Sequence, residues 1–147
     1  MVQTQETSRT NQNRNTKLMI YIPMNVPSSK NSKQLVWVKN KAGIKRPLFI
    51  DSKTCSKYKK NTEMFYSTRA NEFKEMVKGL EKPYKVTFKF IRNSRRKFDY
   101  INPAQTVQDL MVKYGWIDDD NADEIVPSFL GYETSKRRAG VEIGILT

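Results

Sequence analysis

From Tyr84 to Ile91 the chain reads YKVTFKFI, with Tyr84, Val86, Phe88 and Phe90 on one side and Lys85, Thr87 and Lys89 on the other. Successive side chains of a strand point to opposite faces, so this alternation predicts a half-buried strand with a basic outer surface. A longer period precedes it. Tyr66, Ala70, Phe73, Val77 and Leu80 recur at steps of four, three, four and three, the stripe of an amphipathic helix predicted over Lys57–Lys82 and stopped by Pro83. A second stripe, Val107, Leu110, Met111 and Tyr114, predicts a shorter helix that Asn102 caps, Pro103 enters and Gly115 ends. At about 100° per residue, Asn102, Gln105 and Asp109 gather on the face turned away from that stripe.

Shorter apolar runs fill in the rest. Leu18–Ile22, ended by Pro23, predicts a buried strand, and Pro27–Asn31 a polar loop. Gln34–Val38 and Leu48–Ile50 read as the two arms of a hairpin whose tip crowds Lys39, Lys41, Lys45 and Arg46 around Gly43. Trp116 and Ile117 return to the core. Ile125–Tyr132 and Val141–Leu146 predict two closing strands joined by a loop with Lys136-Arg137-Arg138. Pro127 places the first at a sheet edge or delays its start. Residues 1–17 hold too little apolar surface to offset the entropy of ordering and predict a disordered basic arm, leaving residues 18–147 as one domain.

Charge changes the picture. Lysine and arginine total 27 against 15 acids, a net charge of +12, which points to nucleic acid or another anionic surface as partner. The chain has no histidine and one cysteine, Cys55. That excludes a Ser-His-Asp triad, a histidine-ligated metal, an internal disulfide and a cysteine zinc cage. No apolar run is long enough to span a membrane and no signal segment opens the sequence, so a cytoplasmic protein is expected.

The charges are also segregated. Residues 1–98 hold 23 lysines and arginines against 6 acids, whereas residues 99–147 hold 4 against 9. The acids gather between Asp99 and Glu124, with five of them inside Asp118–Glu124. Such crowded carboxylates repel one another unless something cationic offsets them. Magnesium, which prefers oxygen ligands and retains water, suits such a cluster without histidine. The bland alternative is that these acids are solvated, or serve a helix or a partner. An EF-hand is excluded, because counting from Asp118 puts Ala122 at a ligand position and Asp123 where glycine is required. Arg92, Arg95, Arg96 and Lys97 lead directly to Asp99. With Lys41, Lys45 and Arg46 of the hairpin tip they are the candidate DNA contacts, or else solvated surface.

Asp99-Tyr-Ile-Asn102, Gln105, Asp109-Leu110, Gly115 and Asp119-Asp120 together resemble the RusA family of Holliday-junction resolvases. That signature runs Asp-x-Asp-Asn, a lysine three residues on, Asp-Ala-Leu, a glycine and a closing Asp-Asp, and it lies on Asp99–Asp120 without a gap. Val26-Pro27-Ser28 and Asn31 are similar to the family's Pro-Pro-Ser-Asn-Asn loop. The resemblance implies an α+β fold, a small mixed sheet with two main helices, an intertwined homodimer, and magnesium-dependent (or manganese-dependent) cleavage of four-way DNA junctions in recombination and repair. It implies Asp99, Asp120 and Asp119 as metal ligands and Asp109 as a further catalytic acid. Two positions depart: Ile101 stands where the family has its second aspartate, and Gln105 where it has its lysine.

Two readings follow. In the first the chain is an active junction endonuclease in which Asp109 or Asp118 replaces the missing acid. In the second it is a non-catalytic dimer that binds branched or duplex DNA. An RNA-binding module has only the charge and the 11% aromatic content in its favour, with no RNP-like motif.

Overall fold

The computed structural model describes residues 19–28 and 33–147; the arm predicted at residues 1–17 lies outside the described residues. Within them the chain forms β1 (Met19–Pro23), β2 (Lys33–Lys39), β3 (Lys45–Asp51), α1 (Lys53–Met76), β4 (Tyr84–Arg92), α2 (Ile101–Lys113), β5 (Ile125–Thr134) and β6 (Gly140–Ile145). The protein is mixed α+β, with two helices and a small mixed sheet. Four strands lie in the order β1-β6-β4-β5, with β4 antiparallel to β6 and parallel to β5. The edge position expected from Pro127 is the one β5 occupies. Strands β2 and β3 form a separate two-stranded hairpin.

The helix stripes predict the core well. Tyr66, Ala70, Phe73 and Val77 of the α1 region join Val107, Leu110 and Met111 of α2 and Val86, Phe88 and Phe90 of β4 in one buried cluster. The predicted bounds of α1 need correction at both ends. The helix starts four residues earlier, at Lys53, because Ser52 Oγ accepts the Cys55 amide proton at 3.3 Å and caps it. It stops at Met76 rather than running on to Lys82, and the chain turns away through Gly79, leaving Leu80 exposed. On β4 the outer face is less open than alternation suggests: Thr87 and Ile91 are buried too. The reason is position, since β4 is an inner strand with neighbours on both sides.

Two glycines are required by geometry. Gly115 (φ +77°) ends α2 in a Schellman arrangement: its own N–H donates to Val112 O at 3.2 Å and that of Trp116 to Met111 O at 2.8 Å. Gly140 lies where β6 meets β1, and a Cβ there would stand 2.3 Å from the Ile22 carbonyl oxygen. Among the described residues no helix is long and apolar enough to cross a membrane.

Candidate active site

The segment before α2 is held by aromatic rings. Phe98 packs edge-on against Tyr132 of β5 at 5.1 Å, and Tyr100 stacks on Phe129 at 5.1 Å between ring centroids. Both also touch Phe90 of β4 at 6.4 Å. Asp99 therefore stands between two rings fixed to the sheet, while the residue itself is exposed. With Ser28, Lys97, Asn102 and Tyr132 it lines an open cavity of about 540 Å³.

The start of α2 differs from expectation. Asn102 is its second residue rather than its cap, because the helix already begins at Ile101. The Asn102 amide donates to the Asp99 carbonyl at 3.1 Å, and Tyr100 takes the capping position with no side-chain bond. Ile101 is 72% exposed. Just after Asp99 and Tyr100 the protein thus presents an apolar side chain to solvent.

One turn on, Gln105 Nε2 donates to Asp109 Oδ1 at 2.8 Å and to Asp120 Oδ2 at 3.2 Å. Carboxylates from the helix and from the acidic loop meet on one amide. Both amide protons of Gln105 have an acceptor in this arrangement. The loop is brought to α2 by Trp116 and Ile117, which re-enter the core as the sequence predicts. The Trp116 indole N–H donates to the Tyr66 carbonyl of α1 at 2.7 Å.

The remaining acids have other occupations. Asp119 accepts the Asp120 amide proton on Oδ1 at 2.8 Å and the Asn121 side-chain amide on Oδ2 at 3.0 Å. These bonds, the Asp120 amide first, hold its carboxyl below the usual range. Asp118 Oδ2 lies 3.0 Å and Glu124 Oε2 2.7 Å from Lys82 Nζ. Glu124 first, then Asp118, push the Lys82 ammonium well above its ordinary pKa. The cation that the crowded acids were expected to need is, for two of the five, this lysine. Sequence reasoning passed over Lys82, although a lysine next to a helix-stopping proline was in view. Among the described residues no three acid, cysteine or histidine side chains are grouped so as to hold a metal ion. The expected trio Asp99, Asp119 and Asp120 is therefore not gathered, whereas Asp109 and Asp120 are.

Two carboxylates fit magnesium, which is commonly held by one or two of them together with waters and substrate phosphates. The Gln105 amide stands between them and would have to give way.

The cationic residues divide. Lys97 is exposed on the Asp99 cavity, Arg95 and Arg96 are exposed just before it in the chain, and Lys41, Lys45 and Arg46 are exposed at the hairpin tip. Arg92 does not belong with them. It is 6% exposed, and its guanidinium donates to Val26 O and, at 2.8 Å, to Ser28 Oγ while lying 4.6 Å from the Phe98 ring centre. Its charge is spent inside the protein, tying the loop after β1 to the end of β4, so the expected phosphate contact is corrected to a structural one.

No protein-family model matches the chain, and no curated protein matches it significantly.

Proposed function

We propose that the chain is a magnesium-dependent, structure-specific DNA endonuclease of RusA-like fold that acts on four-way junctions, working as a homodimer. The observation that carries this reading is the meeting of Asp109 and Asp120 on Gln105 Nε2, one turn along α2 from the Asp99 cavity. Asp109 and Asp120 would hold the metal, with manganese as a substitute. When bound, the metal supplies a Lewis acid for water activation and for the charge developing on the phosphodiester. Asp99, on the neighbouring cavity, would take a proton from the attacking water. Lys97 and Ser28, on the same cavity, meet phosphate oxygens, and Arg95 and Arg96 hold the flanking backbone.

Two matched cuts on strands related by a two-fold axis call for a C2 dimer. The hairpin supports one. Leu35, Trp37 and Phe49 share a face in its register and are 52%, 65% and 70% exposed. An isolated two-stranded hairpin is at best marginal in water, and a second copy would cover this surface.

The binding-only reading has its own support: Gln105 rather than a cation bridges the carboxylates, and Ile101 replaces an acid. The test is a four-way junction incubated with the protein in magnesium, in manganese and in EDTA. Paired metal-dependent nicks are expected, and more of them with Ile101→Asp/Gln105→Lys. A protein that binds junctions and never nicks them, while the double variant cuts, would replace the enzyme reading with the binding module.

A further inference from the structure

A second cavity, of about 490 Å³, is lined in part by the loop that follows β1. Pro27 lines it and the next residue, Ser28, lines the Asp99 cavity, so the two are neighbours along the protein surface. Three cations stand around it: Lys57 from the start of α1, and Lys136 and Arg137 from the loop between β5 and β6. No carboxylate is among the lining residues.

The contrast with adjacent residues is informative. Lys59 pairs with Asp51 at 3.1 Å and Arg138 with Glu142 at 3.6 Å, whereas Lys57, Lys136 and Arg137 make no ion pair among the described residues. Like charges around one cavity repel unless an anion lies among them. The floor is also fixed in place. Asn25 Oδ1 accepts the Asn93 amide proton at 3.0 Å, the Met24 amide donates to Ala139 O at 2.8 Å, and the Tyr21 hydroxyl donates to Arg138 O at 2.8 Å. Met24 is held at φ +84°, a backbone region costly for a residue with a side chain and concentrated at ligand sites.

We infer that this cavity is a phosphate subsite that holds an internal phosphodiester of the DNA strand leading away from the Asp99 cavity. The inference rests on the nucleic-acid part of the function proposed above and not on cutting. Lys57, Lys136 and Arg137 take the phosphate oxygens, and the pinned loop sets the spacing between the two cavities.

The test is fluorescence anisotropy of labelled octathymidylate against the full chain in EDTA, over a range of salt. Lys57→Ala/Lys136→Ala/Arg137→Ala is compared with Lys60→Ala/Lys74→Ala/Lys85→Ala, which removes as much charge from exposed positions elsewhere. The cavity variant should bind about tenfold more weakly at low salt, and its salt slope should fall by about 2, at roughly 0.7 per contact on a single strand. The control should keep nearly the whole slope. Equal behaviour of the two variants overturns the inference, and so does a wild-type chain that does not bind the oligonucleotide. Oligonucleotides with and without a 5′-phosphate should bind alike; a strict need for the terminal phosphate would overturn the internal-diester assignment in favour of a phosphomonoester. A chain that binds through this cavity yet never nicks a junction keeps the inference and loses the nuclease reading.

Discussion

Trp116→Phe tests how the acidic loop is held against the helices. Trp116 is 3% exposed, its ring lies 5.7 Å from that of Tyr66 and 5.3 Å from that of Phe73, and its N–H reaches the Tyr66 carbonyl at 2.7 Å. Phenylalanine keeps the ring contact with Phe73 but loses the buried hydrogen bond, worth about 1 kcal/mol. It also removes roughly 40 Å² of apolar surface and leaves a small cavity, together about 1–2 kcal/mol. The sum, about 2–3 kcal/mol, corresponds to a fall in Tm of about 5–10 °C for a domain of this size. Far-UV circular dichroism melting reads it. Because Trp116 leads directly into the loop carrying Asp120, junction cutting should fall by more than junction binding. The other tryptophan, Trp37, is 65% exposed, and Trp37→Phe should move Tm little while leaving the blue-shifted emission of a buried indole. A Trp116→Phe protein melting within about 1 °C of wild type would refute the anchoring role.

Gly140→Ala pushes a Cβ against the Ile22 carbonyl, a backbone atom that cannot swing aside, and should cost about 3 kcal/mol or more by thermal melting. Trp37→Glu/Phe49→Glu places charge on the exposed hairpin face and should convert the proposed dimer to monomer in sedimentation at micromolar concentration, with Tm of the body unchanged. Asp119 has its folded pKa lowered below its ordinary 3.8 by the Asp120 amide and Asn121. Its contribution is therefore full above that value and is lost as pH falls through the lower, folded one. Asp119→Ala should flatten the acid limb of a Tm-against-pH profile and leave its shape near neutrality unchanged.

What the sequence shows of the fold is what periodicity can carry. The stripes of α1 and α2 and the alternation of β4 name most of the core, because burial on one face leaves its period in the residues. Helix ends are less legible: Ser52 and Gly79 set α1 by cap and backbone geometry, while the apolar stripe runs on to Leu80 past the true end. The parallel pairing of β4 with β5 leaves no local signal, and with it the burial of Thr87 goes unseen. At the site, the facing of Gln105 and Asp109 follows from helix geometry alone. That Asp120 joins them while Asp119 turns to its own loop depends on hydrogen bonds between neighbours that spacing cannot rank. Arg92 and Lys82 show the same limit, since a cation reads alike in the sequence whether it meets phosphate, a buried carbonyl or a carboxylate.

The central claim is that Asp109 and Asp120 form the metal-holding pair. Asp120→Asn and Asp109→Asn test it when cleavage and binding of one four-way junction are measured side by side, cleavage in magnesium and binding in EDTA. Each substitution removes a negative charge from a surface that a polyanion approaches, so binding should hold or tighten slightly. Cleavage should fall at least about a hundredfold in both, as losing one of two ligands removes the metal's contribution. Undiminished cutting by Asp109→Asn, with Asp120→Asn inactive, would contradict the pair.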